Sequence, residues 1–177
     1  MKTILIGLSL GLMLWSVSPS FLVANSAEEA VKARQDIMKQ YGKSMKTMAG
    51  MMRGKIAYDA DGMAKAAAII RDHSGDAFLK HFPQNSIVGT SESLPIIWQE
   101  WDEFADLSTK AGIYANGLVK AASNPMSDDA MGEISMLDEA EKQDADRLGG
   151  MGPNIAFSLM AGTCKACHSK FREKHDH

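Results

Sequence analysis

The chain has 177 residues, 45% hydrophobic and 23% charged, with five prolines, two cysteines and 13 methionines. That length fits one ordinary domain, and the composition excludes both a disordered chain and a disulfide-stapled mini-domain. A formal charge of −3 argues against a nucleic-acid binder, which needs a basic surface, so the two cysteines require another explanation.

The first segment reads as an address. Lys2 supplies a positive start, and Ile4 to Val17 is an almost unbroken apolar run. At about 14 residues the run is short of the ~20 that span a bilayer. Small residues follow at Ser18-Pro19-Ser20 and at Ala24-Asn25-Ser26-Ala27. This pattern is that of a secretory signal peptide over residues 1–27, cleaved between 20 and 27, with an uncleaved anchor as the alternative. Removal of it leaves 18 basic against 22 acidic side chains, a net charge of −4. Export implies an oxidising compartment, where a cysteine pair ordinarily closes to a disulfide.

The mature protein, residues 28–177, has four long stretches of helical period. The first covers about 28–53, with Val31, Ile37, Met38, Tyr41, Met45, Met48 and Met52 spaced to share a side. Ser26 with Glu29 predicts a capping box, and Gly54 a stop. The second covers about 61–81, with Met63, Ala67, Ile70, Ala77 and Phe78 on one side and Gly75 weakening its middle. Residues 83–94 read as a loop. The third opens at Pro95, carries Ile97, Trp98, Trp101, Phe104, Leu107, Ala111, Tyr114 and Leu118, and closes at Asn124-Pro125. Ser127-Asp128-Asp129 predicts the cap of a short acidic helix reaching about residue 148. Gly149-Gly150-Met151-Gly152-Pro153 then breaks the pattern. The last helix covers about 154–174. No alternating run competes, and short links between long amphipathic helices imply an all-α, antiparallel up-down-up-down four-helix bundle whose core can host a cofactor.

Cys164-Lys165-Ala166-Cys167-His168 carries the chemistry. In an exported protein, the pattern C-x-x-C-H reads as c-type haem attachment. Two thiols three residues apart on a helical turn can each add to a vinyl group on one porphyrin edge, and the next residue brings an imidazole to the iron, a normal proximal ligand. A thioredoxin-like pair belongs at a helix start among strands, which this context lacks. Zinc needs four ligands, and a plain disulfide leaves the adjacent histidine unexplained.

Beyond that motif, Glu29-Ala30-Val31-Lys32-Ala33-Arg34-Gln35 with Met38, Gly54-Lys55-Ile56-Ala57-Tyr58-Asp59, Phe82-Pro83, Pro95-Ile96-Ile97-Trp98 and Phe171-Arg172 make the sequence similar to the class II c-type cytochromes, the cytochrome c-prime and cytochrome c-556 group. The resemblance covers about residues 28–124 and 155–174. It implies one covalently attached haem c, with thioethers at Cys164 and Cys167 and His168 as proximal iron ligand. It also places Met38 at the distal face and Arg34 against a haem propionate. In the c-556 subgroup a methionine at the Met38 position ligates the iron, giving a six-coordinate, low-spin centre. In the c-prime subgroup that position usually blocks a five-coordinate iron, and Met38 is then flexible packing. The family joins its third and fourth helices by a short loop, so residues 125–153 read as an atypical insertion.

The expectation is a periplasmic monohaem cytochrome that carries single electrons and is not an enzyme. The alternative is a five-coordinate protein binding nitric oxide or carbon monoxide. The implied partners are redox proteins docking transiently at the haem edge, with neither nucleic acid nor, after cleavage, a membrane span. A homodimer through the first helix is a further implication of the resemblance. His73 and His81 read as ordinary helix residues, and His175 and His177 as a polar tail.

Overall fold

Apolar spacing sets the helices of this protein, and glycine, proline and aspartate set where they stop. The computed structural model describes residues 19–174. Helix α1 spans Pro19–Met52. Its buried residues Val31, Arg34, Ile37, Tyr41, Ser44, Met48 and Met51 follow one another at three or four positions, which a 3.6-residue period places on one face. Met38, Met45 and Met52 flank that stripe, half-buried and packed against the core. Gly54, at φ 65°, ends the helix as expected, its N–H donating to the Met51 carbonyl at 3.0 Å. The expected start at residue 28 is corrected, because α1 already runs through Ser26 and Glu29, so these residues form no capping box. Residues 1–18 of the expected export segment lie outside the described residues.

Helix α2 (Ala60–His73) opens on Asp59, whose carboxylate accepts the Gly62 N–H at 3.1 Å, and buries Met63, Ala66, Ala67 and Ile70. It does not continue to residue 81 as the periodicity predicts. Ser74 Oγ donates back to the Ile70 carbonyl at 2.7 Å, and Gly75 takes φ 59°, ψ −138°, a conformation only glycine adopts readily. The short α3 (Asp76–Leu79) then turns Phe78 inward. The expected third helix is bent once, at Glu100, into α4 (Ile96–Gln99) and α5 (Trp101–Ala121).

The predicted single acidic helix is three: α6 (Ala130–Met136), α7 (Glu139–Lys142) and α8 (Ala145–Gly149). Asp129, Asp138 and Asp144 each accept backbone N–H groups and restart the helix, so an acidic run that reads as continuous is broken by its own carboxylates. Helix α9 (Pro153–Phe171) begins with proline in its first turn and buries Ile155, Ala156, Met160 and Phe171.

Helices α1, α2, α5 and α9 make the four-helix bundle. α1 packs on α2, α2 on α5 and α5 on α9, whereas α1 and α9 are not among the closely packed pairs of the described residues. The bundle is thus least tightly closed where the helices of Met38 and of the C-x-x-C-H motif face each other. No described helix is long and apolar enough to cross a membrane.

Candidate haem site

At 100° per residue, Cys164, Cys167 and His168 share one face of α9 with the buried Met160 and Phe171. Both cysteines are half-buried and are not joined in a disulfide. Burial pushes both thiols up, Cys167 to about 12 with the neighbouring Cys164 adding to the effect. Neither is therefore a spontaneous thiolate at neutral pH. His168 is held below the usual imidazole value by burial and by Arg172, with Glu92 acting in the opposite sense. The neutral ring that results is the form that ligates a metal. Among the described residues no three His, Cys, Asp or Glu side chains converge as a metal site.

The segment after the motif is tied down. Residues 92–94 pair antiparallel with 171–173: the Leu94 N–H donates to the Phe171 carbonyl at 3.0 Å and the Glu173 N–H to the Glu92 carbonyl at 2.8 Å. The other end of the same loop is held by α1. Arg34, only 4% exposed, donates from Nη1 to the His81 carbonyl and to Ser86 Oγ, both at 3.1 Å. Its Nη2 donates to the Ser86 carbonyl and to Ser91 Oγ, both at 2.7 Å. Gln35 Nε2 adds a bond to the Thr90 carbonyl at 2.8 Å. The Arg34 guanidinium also lies 4.9 Å from the Phe82 ring centre, and the ring contacts continue from Phe82 through Phe104 to Phe171.

These contacts give Arg34 a role that the sequence does not reveal. The four N–H groups on its terminal nitrogens are committed to the loop, so a propionate has to meet Nε or displace a serine. Tyr41 is another residue that sequence reasoning left as core. Its hydroxyl shares a 2.8 Å bond with Ser74 Oγ and lies 3.1 Å from the Ile70 carbonyl, and it is near enough to Cys164 to feel a charge there. Met38 sits on α1 one turn after Arg34 and one before Tyr41. His73 is engaged with its own helix at the Ile69 carbonyl, 2.9 Å, and His81 is half-buried by the Arg34 loop. His175 and His177 lie outside the described residues.

The residues present fit a covalently held haem: two thiols one turn apart, a neutral imidazole beside them, and the loosest edge of the bundle in front of them. Comparison with known proteins agrees. The family model described as Cytochrome C' matches residues 29–137, more than half of the chain. A cytochrome c-556 of Agrobacterium tumefaciens (strain II Chrys) is 31% identical, over 81% of this chain and 97% of its own. A cytochrome c' of Rhodopseudomonas palustris is 30% identical over 87% of both proteins. For the fold, cytochrome c prime from Shewanella frigidimarina superposes with a TM-score of 0.63 at 22% identity, covering 84% of this chain and 97% of that one. The motif on the last helix thus sits in a bundle shared with proteins of one kind, and the chain belongs to the cytochrome c' family as a monohaem c-type cytochrome with one covalently attached haem c.

Proposed function

We propose that this protein is an exported, periplasmic carrier of single electrons, with thioethers at Cys164 and Cys167, His168 as proximal ligand and Met38 as distal ligand. The haem supplies the one-electron chemistry, and the bundle holds it and sets its potential. The observation that carries the Met38 assignment is its place on α1. Of the neighbours a turn away on either side, Tyr41 lies near enough to Cys164 to feel a charge there, and Arg34 grips the loop paired with the end of α9. A thioether opposite an imidazole raises the reduction potential. Redox partners would dock transiently at the haem edge, and a second copy of the protein through the outer face of α1.

The purified holoprotein separates this reading from the gas-binding one. A low-spin ferric spectrum with a methionine-to-iron charge-transfer band is expected, and Met38→Ala removes that band and turns the iron high-spin. A ferric spectrum unchanged by the substitution means that methionine was never bound. A high-spin wild type that takes up carbon monoxide promptly is the outcome the five-coordinate alternative requires. The attachment residues are tested separately: haem stays with the protein in acid-acetone extraction, and Cys164→Ala with Cys167→Ala releases it.

A further inference from the structure

The far side of α9 carries a cleft that the haem does not explain. It has a volume of about 350 Å³ and lies between α5, α6 and α9, within the size range of small-molecule sites. Leu107, Ile134 and Leu159 give it apolar walls, and Met131, 70% exposed, stands at its rim. On the helical wheel of α9 the lining residues Gly162 and Ala166 lie away from Cys164, Cys167 and His168, whereas Leu159 and Thr163 border the Cys167 side. The cleft therefore centres on a different face of α9 from the haem motif.

Two features mark it as built for an occupant. Tyr114 lines the cleft at 5% exposure, yet its hydroxyl makes no hydrogen bond with any described residue. Among the described residues no fully enclosed side-chain polar atom is without a partner, so this hydroxyl opens onto the cleft. A ring so deeply buried presents one unused O–H donor to whatever fills the space. Gly162, in the middle of α9, is not required by packing, since a Cβ there would meet nothing within 4 Å. It weakens its helix and its missing side chain keeps the cleft open.

The surroundings define the ligand. The charges near the Tyr114 hydroxyl come as two ion pairs, Lys110 with Asp106 and Lys142 with Glu139, each at 2.8 Å. A site without net charge selects a neutral head that accepts a hydrogen bond, in preference to a carboxylate or an ammonium. The apolar walls and the Met131 thioether suit an aromatic body, because sulfur contacts ring edges favourably. We propose that this cleft binds a small neutral aromatic ketone or quinone, whose carbonyl oxygen accepts the Tyr114 O–H. The proposal goes beyond the electron-carrier reading and stands or falls separately from it.

Equilibrium dialysis of the ferric holoprotein against oxidised menadione tests it. The expected result is saturable binding of one molecule per protein with no change in the haem spectrum. Tyr114→Phe, which keeps the ring, weakens binding about threefold to tenfold, the worth of one hydrogen bond. Gly162→Leu fills the cleft and abolishes binding, while its far-ultraviolet dichroism and haem spectrum stay those of the wild type because leucine is the better helix former. Absent or unsaturable binding overturns the proposal. So does binding that survives Gly162→Leu, that ignores Tyr114→Phe, or that shifts the haem spectrum, which would put menadione at the iron.

Discussion

Among the described residues the buried Arg34 guanidinium has no carboxylate partner and is held by carbonyls, hydroxyls and the Phe82 ring. Each bond to a charged donor contributes about 1.5–3 kcal/mol, and the acceptors left behind cannot all reach water. Arg34→Met, which keeps the length of the stem, should therefore cost about 2–4 kcal/mol in urea denaturation of the holoprotein, with Arg34→Lys recovering only part because an ammonium lacks the fork. A loss near zero would show that water replaces these bonds. His81, whose carbonyl Arg34 holds, adds a pH dependence. Burial, Lys80 and Arg34 keep its imidazole below the usual value. Below about pH 6.5 the unfolded protein takes up a proton at His81 that the folded protein refuses, so stability falls as the pH drops. His81→Gln should flatten that part of the acid limb, seen in denaturation midpoints measured across it. Cys164, Cys167 and His168 are legible in the sequence because one helical turn fixes their mutual placement. The partners of Arg34 at Ser86 and Ser91 lie 52 and 57 residues away, and a polar loop carries no periodicity from which to read its register.

Three glycines that look alike in sequence do different work in the helices. At Gly117 of α5 a Cβ would lie 2.7 Å from the Leu148 Cβ, so α8 rests directly on the α5 backbone. Gly117→Ala forces the two apart and should cost about 1–3 kcal/mol. At Gly162 a Cβ meets open space, and Gly162→Ala should stabilise the protein by about 0.5–1 kcal/mol through helix propensity alone. Thermal melts of the two holoprotein variants should move in opposite directions. Shifts of the same sign would undo the assignment of α8 to the α5 surface. Gly75 is the third case. The apolar period runs straight through it, so the sequence predicts one weakened helix, but its φ of 59° breaks α2 and redirects Phe78 and Phe82 into the ring cluster. Helical period reports which residues are inward, and it stays silent where the backbone turns and resumes with the same residues still inward. The bend at Glu100 and the three aspartate-capped helices escaped the sequence for the same reason.

Across the whole molecule, charge is unevenly distributed. The 125–152 segment holds eight acidic and two basic side chains, a net of −6 against −3 for the entire protein, so the remainder is net basic. Part of that excess lies on the outer face of α1, where Lys39, Lys43 and Lys46 are exposed. A two-fold pair formed through α1 presents the same patch from both copies and brings these lysines together. Their repulsion is long-ranged at low salt and screened as the Debye length falls from ~30 Å at 0.01 M to ~10 Å at 0.1 M. Dimerisation through α1 should therefore tighten as salt rises. A head-to-tail contact between the acidic segment of one copy and the α1 lysines of another has the opposite sign, because salt screens an attraction. Sedimentation velocity of the holoprotein across that salt range decides between the two. An association constant that rises with salt and rises less steeply in Lys43→Gln with Lys46→Gln supports pairing through α1. One that falls with salt assigns association to the acidic segment, and one that ignores salt moves the interface to an uncharged face.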